Sequence, residues 1–135
     1  MVRMATLIVG SGAIAEEIVQ DAFAQVSMRW ASIERPGGYL RRSVVNGCVA
    51  VLRRRSVEDR YRTLDAGRVH DELPVRLVEL RAALDRLSER QRIVVVLRYF
   101  VDIPDHEIAE TIGVRPATVR SLAHRAMAVL RKELT

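Results

Sequence analysis

The sequence predicts an all-α chain of two small helical domains joined by a charged linker, the second domain being a helix-turn-helix. Three observations predict it. Apolar residues recur at helical spacing along most of the chain. Ala, Leu, Val and Arg dominate a composition only 4% aromatic; most of these are helix formers, and the core they make is aliphatic. A charged, mixed-sign stretch without apolar periodicity, residues 56–74, separates two periodic regions. The domains are therefore expected at residues 1–55 and 75–135, each near the lower size limit for independent stability.

In order, residues 2–9 are apolar and form the tail of a helix that breaks at Gly10-Ser11-Gly12. A second helix is expected from about Ala13 to Arg29. Ile14, Ile18, Val19, Ala22, Phe23, Val26 and Trp30 define its buried stripe, which leaves Glu16, Glu17, Gln20 and Asp21 as an acidic outer face. Ile33–Gly38, IERPGG, reads as a loop rich in breakers. A third helix follows from about Gly38 to Arg54. Leu40, Val44, Cys48 and Leu52 face inward at four-residue steps, while Arg41, Arg42 and Asn46 lie on other faces.

Beyond the linker, Leu77, Leu80, Leu84 and Leu87 form one helical seam. Ser88 to Gln91 is S-x-x-Q, a capping-box pattern, so a new helix starts there and runs to about Phe100. Asp102–Pro104 is a turn, Asp105 to Ile112 the next helix, and Gly113 its stop. Pro116 suits the first turn of a last helix that runs to about Leu134.

The helices on either side of Gly113 carry the functional signal. A helix-turn-helix needs a small residue where its helices touch, a turn glycine, and apolar residues that lock the second helix onto the first. Ala109, Gly113, and the set Ile108, Ile112, Val114, Val119 and Leu122 meet these needs at the expected offsets. With Val119, Leu122, Ala126 and Val129 or Leu130 inward, the last helix presents Thr118, Arg120, Ser121, His124 and Arg125 outward near its N-terminal half. That half is the part a recognition helix pushes into the major groove. Arg reads guanine by paired hydrogen bonds, and hydroxyls suit phosphate. The plainer alternative is a solvated charged face on a three-helix bundle.

Composition narrows the classes further. The net charge of +5, nearly all from Arg, is compatible with nucleic acid, an acidic partner or a membrane surface. The single Cys48 forms no internal disulfide and reads as a small buried hydrophobe, which fits a reducing cytoplasm. No apolar run is long enough for membrane insertion, and no signal peptide is recognisable. His70 and His106 have no ligand spacing with each other or with Cys48. No metal set, phosphate loop or nucleophile triad appears, so no catalytic residue and no cofactor is assigned. Phe23 and Trp30 read as core rather than as base-stacking platforms, the Arg53–Arg55 run as a solvated helix end, and the acidic face of the second helix as an ordinary solvated surface.

Residues 81–134 closely resemble the C-terminal promoter-reading domain of bacterial sigma factors of the sigma-70 superfamily, extracytoplasmic-function branch. LSERQR, EIAETIGV, and TVRS followed by HRA are its recurring phrases. AEEIVQDAF (Ala15–Phe23) and PGGYLRRSVVNGCVAVLRRR (Pro36–Arg55) resemble the other sigma domain, in the right order. The resemblance implies a non-enzymatic protein that binds core RNA polymerase and promoter DNA, with an anti-sigma factor as a further candidate partner. It implies polymerase docking through Glu16, Glu17, Gln20 and Asp21. Arg41, Arg42 and Asn46 would read and help melt the downstream (−10) box, with Arg53–Arg55 near its backbone, and Arg120, Ser121, His124 and Arg125 would read the upstream (−35) box. Three departures stand out. Family members usually begin with further helical sequence, so the first domain is expected to be N-terminally incomplete. Leu122 replaces a frequent basic residue, and Arg115 sits where a Ser or Thr cap is usual. Two other readings remain: a free-standing helix-turn-helix regulator binding duplex DNA as a dimer, and a sigma-like module that only occupies protein partners.

Overall fold

The computed structural model describes residues 1–58 and 75–134, and every regular element among them is helical. The chain divides into two compact units, Met1–Glu72 and Leu73–Thr135. The expected linker, with His70, falls largely outside the described residues, as does the Leu77 side chain.

In the first unit, α1 (Val2–Val9), α2 (Gly12–Met28) and α3 (Pro36–Glu58) pack on one another. The break between α1 and α2 follows from local chemistry. Gly10 adopts the left-handed conformation at φ 78° and donates its N–H to the Thr6 carbonyl at 2.8 Å. Ser11 then caps α2 by accepting from the Ile14 N–H at 3.2 Å. Helix α1 buries Met4 through Val9, and α3 adds Val44, Val45, Cys48, Val51 and Leu52 to the core. At the far end of α3, the Arg55 guanidinium donates to the Val9 carbonyl, one of the acceptors that the end of α1 leaves without a helical partner.

Helix α2 departs from the expected stripe. Its buried line is Gly12, Ala15, Val19, Ala22 and Val26, while Ile14 and Ile18 are half-buried. Phe23 is 51% exposed and Trp30 62% exposed, so neither belongs to the core. The cause is close packing along a line of small residues. A Cβ added to Gly47 of α3 would come within 2.7 Å of Ile18 Cγ2, so the two helices nearly touch there. That approach fixes the rotation of α2 and turns Phe23 outward. Trp30 lies past the helix, in a 3₁₀ turn over Trp30–Ser32, where helical spacing no longer applies. The expected loop Ile33–Gly38 is also shorter than predicted. Pro36 opens α3, where its missing N–H has no helical partner to lose, and the Tyr39 N–H donates to the Arg35 carbonyl. Leu40, expected inward, is half-buried.

The second unit contains α4 (Val75–Leu84), α5 (Glu89–Val95), α6 (Asp105–Ile112) and α7 (Pro116–Leu134). The capping box at α5 forms as the sequence predicts: Ser88 and Gln91 exchange side-chain-to-backbone hydrogen bonds, both 3.2 Å. Arg92 reaches back to the Leu84 carbonyl at 3.2 Å and so ties α5 to the end of α4. Arg81, largely buried, pairs with Asp85 at 2.6 Å. The helix does not continue as an α-helix to Phe100. It widens into a π-helical turn over Val96–Phe100, and Asp102 then takes φ 57°. The Ile103 N–H closes the turn on the Leu97 carbonyl at 2.9 Å. Leu84, Val94, Val96, Leu97, Ile108 and Val119 are fully enclosed, each worth about 1.5–3 kcal/mol in apolar burial.

Candidate nucleic-acid interface

The hinge between α6 and α7 is built as a helix-turn-helix requires. Gly113 stands at φ 73°, and its N–H and that of Val114 both reach the Ala109 carbonyl. The side chain facing the partner helix there, Ala109, is buried and small. Val119, Ala123, Ala126 and Leu130 then seat α7 on the core. Ala123 takes the buried place expected of Leu122, which is only half-buried.

With that face fixed, Arg120, Ser121, His124 and Arg125 are exposed, and Thr118 is half-buried. No salt bridge among the described residues engages Arg120 or Arg125. These residues span about two turns, near 10 Å of helix, a length that suits insertion into a major groove.

In the first unit the candidate residues fall on two lines. Arg42 and Asn46 share one exposed side of α3, and Arg41 sits a step around the helix, half-buried. On α2, Glu16 and Gln20 follow one exposed line, which continues to Phe23. Glu17 and Asp21 follow another and line a groove of about 770 Å³ between α2 and α3. Asn46, Ser43, Tyr39 and Arg54 line the same groove, so it joins an acidic wall to a polar and basic one. Sequence spacing alone did not bring Asn46 together with Glu17 and Asp21, because their meeting depends on how two helices pack. Of the Arg53–Arg55 run, Arg53 and Arg54 are exposed, whereas Arg55 is occupied by the Val9 carbonyl.

Other large side chains are exposed that the sequence either placed in the core, as with Phe23 and Trp30, or did not single out. Phe23, Met28 and Trp30 stand out in the first unit, and Tyr99 and Phe100 at the π turn in the second, where the Arg98 guanidinium lies 5.6 Å from the Tyr99 ring centroid. Among the described residues there is no grouping of His, Cys, Asp and Glu that could hold a metal ion. Cys48 is fully enclosed, and burial pushes its thiol up to about 12 against a small opposing backbone hydrogen bond.

The chain is similar to known proteins over nearly its whole length. The family described as "Sigma-70, region 4" matches residues 77–130. The RNA polymerase sigma-E factor of Streptomyces antibioticus is 35% identical over 126 residues, covering 89% of this chain and 70% of that protein. The sigma-E factor of Streptomyces coelicolor is 32% identical, covering 99% of this chain and 79% of the relative. Among solved structures, the sigma factor RpoE of Bartonella quintana, in complex with the anti-sigma factor NepR, aligns with a TM-score of 0.79 at 22% identity. That alignment covers 98% of this chain and 89% of the other.

Proposed function

The chain belongs to the extracytoplasmic-function branch of the sigma-70 family of RNA polymerase sigma factors, and from that membership we propose how its residues divide the work. As a sigma factor it binds core RNA polymerase and directs it to promoters. The first unit docks on the polymerase through the exposed carboxylates and amide of α2, Glu16, Glu17, Gln20 and Asp21. Arg41, Arg42 and Asn46 of α3 read the downstream box, and the Arg53 and Arg54 side chains stand near its backbone. The second unit reads the upstream box through Arg120, Ser121, His124 and Arg125 of α7, with Thr118 at its edge. The domains are assigned as 1–55 and 75–135 around a linker over 56–74. The chain carries out no covalent chemistry, and its residues bind and position. It works in the cytoplasm, where polymerase and promoters meet. No described helix is long and apolar enough to cross a membrane. An anti-sigma factor is a further expected partner, as one accompanies the Bartonella protein.

The observation that supports this reading is the exposed row on α7 above a buried seam, within the residues that match sigma-70 region 4. Phosphate contacts by the arginines supply affinity, and guanine contacts supply discrimination of about 1–3 kcal/mol for each good pair. Co-elution with core RNA polymerase on a sizing column at moderate salt, followed by run-off transcription from mapped promoters, tests it. Binding together with promoter-directed transcripts is expected. Duplex binding as a dimer without any association with polymerase would overturn it.

A further inference from the structure

Leu122 is where expectation and structure part on the reading half of α7. Helical spacing assigns it to the buried seam, yet it is half-buried, and Ala123 takes the enclosed place. The other apolar side chains over residues 118–125 are Val119 and Ala123, and both are enclosed. Leu122 is therefore the one large apolar side chain of that stretch that keeps part of its surface open. The period of the helix fixes where it stands. At about 3.6 residues per turn, Leu122 lies roughly 40° around the axis from Thr118 and roughly 60° from Arg125. It sits on the edge of the outward face and not behind it. Arg125 and Ser121 are exposed and Thr118 is half-buried, so an apolar edge borders a row of cations and hydroxyls.

A leucine at the edge of a reading face is not neutral. The major groove presents hydrogen-bond donors and acceptors at nearly every base edge, and a leucine laid over them leaves them without partners. The one apolar group that a base offers there is the C5-methyl of thymine. Leucine against that methyl removes apolar surface from water on both sides. A deoxyribose is the other apolar surface within the duplex, but contact with it carries no sequence information. The neighbouring arginine and hydroxyls favour DNA over a protein partner for this edge, since the charge beside it is of one sign.

We infer that Leu122 reads the C5-methyl group of a thymine at one position of the upstream box, next to the contact made by Arg125. This rests on α7 being the reader of that box. It adds a residue that discriminates by apolar contact, where the rest of the row discriminates by hydrogen bonds and charge.

Deoxyuridine in place of thymine removes this methyl and leaves every hydrogen-bonding group in place, so the first measurement needs no change in the protein. Holoenzyme assembled from the full chain and core polymerase is titrated against a mapped promoter duplex. Each thymine of the upstream box, on either strand, is changed to deoxyuridine in turn. At one position the change weakens binding about fourfold, the effect of burying one methyl-sized group. Leu122→Ala binds the thymine and deoxyuridine duplexes alike, whereas Leu122→Met keeps an apolar side chain of similar reach and keeps the difference. A scan in which no deoxyuridine weakens wild type, or a difference that persists unchanged in Leu122→Ala, overturns the inference. So does a mapped upstream box without thymine on either strand. If Arg120→Ala and Arg125→Ala weaken recognition of the box and no deoxyuridine does, the methyl contact fails while the reading of the box by α7 stands. If neither the arginine variants nor any deoxyuridine changes binding, both fail. Loss of polymerase co-elution by a folded Leu122→Ala assigns the edge to protein and also overturns the inference.

Discussion

Arg120 and Arg125 face solvent from a helix whose other side is locked by Val119, Ala123 and Ala126. Their guanidiniums are free to choose a ligand without disturbing the core, so replacing them should change recognition and not folding. Arg120→Ala or Arg125→Ala is expected to weaken binding to the upstream box by about 1–3 kcal/mol where the arginine reads a guanine. Polymerase binding should survive. Anisotropy titrations against matched and scrambled duplexes separate the two contact types, since loss of a phosphate contact weakens all sequences alike and flattens the salt dependence. Unchanged selectivity in both variants removes them from the reading set. Cys48 gives a second residue-scale expectation. Its thiol rises from an ordinary 9.0 to about 12 because burial disfavours the thiolate. A raised folded-state value means the folded protein holds this proton more tightly than the unfolded chain does. The stability it contributes is therefore complete below pH 9 and is lost as pH rises toward about 12. Denaturation midpoints should fall over that window more steeply in wild type than in Cys48→Ala, and a thiol reagent at about pH 8 should label Cys48 only after unfolding.

Among elements, the pair α2 and α3 is the most tightly constrained. Gly47→Ala brings a methyl to 2.7 Å from Ile18 Cγ2, a branch carbon that cannot swing away as a chain end would. Overpacking of this kind costs about 1–3 kcal/mol, whereas Ala gains about 0.8–1 kcal/mol over Gly in helix propensity. The clash wins, and net destabilisation of roughly 1 kcal/mol is expected in chemical denaturation. In an Ile18→Ala background the same change should become stabilising, and failure of that sign reversal would mean that the contact is not what sets the helix spacing. The same contact explains what the sequence could and could not tell. Gly10, Ser11, the Ser88–Gln91 box and Gly113 act within a few residues of themselves, so each helix boundary they set was legible. The row Arg120, Ser121, His124 and Arg125 was legible too, because one helical period fixes which side faces out once Val119 is inward. The rotation of α2 was not, because a neighbour's glycine sets it. Phe23 was misplaced for that reason, and the meeting of Asn46 with Glu17 and Asp21 in one groove was missed for it too, whereas Trp30 was misplaced because α2 ends at Met28 and a 3₁₀ turn follows. The π turn at Val96–Phe100 had no local signal either, as its apolar run continues the α-helical pattern without a breaker.

For the whole molecule, the arrangement of cores decides how far a local change spreads. The first unit is held by α1, α2 and α3, and the second by α4 through α7 around Leu97, Ile108 and Val119. A surface substitution in one unit therefore leaves the core of the other intact. Asp21 is an exposed carboxylate on the groove wall of α2, on a chain with net charge +5, so a carboxylate face there is a minority sign that a basic partner surface can recognise. Asp21→Arg keeps the position solvated and reverses its sign. Like-charge juxtaposition across an interface costs several kcal/mol, enough to lower polymerase affinity roughly tenfold or more. Co-elution with core polymerase should be lost at moderate salt and partly regained as ionic strength is raised, because salt screens the repulsion between the introduced guanidinium and a basic partner surface. The free variant should still bind the upstream duplex as wild type does, because α7 and its core are untouched. Normal docking by Asp21→Arg would take Asp21 out of the contact set. Loss of duplex binding along with docking would mean that the two units do not act as separate bodies.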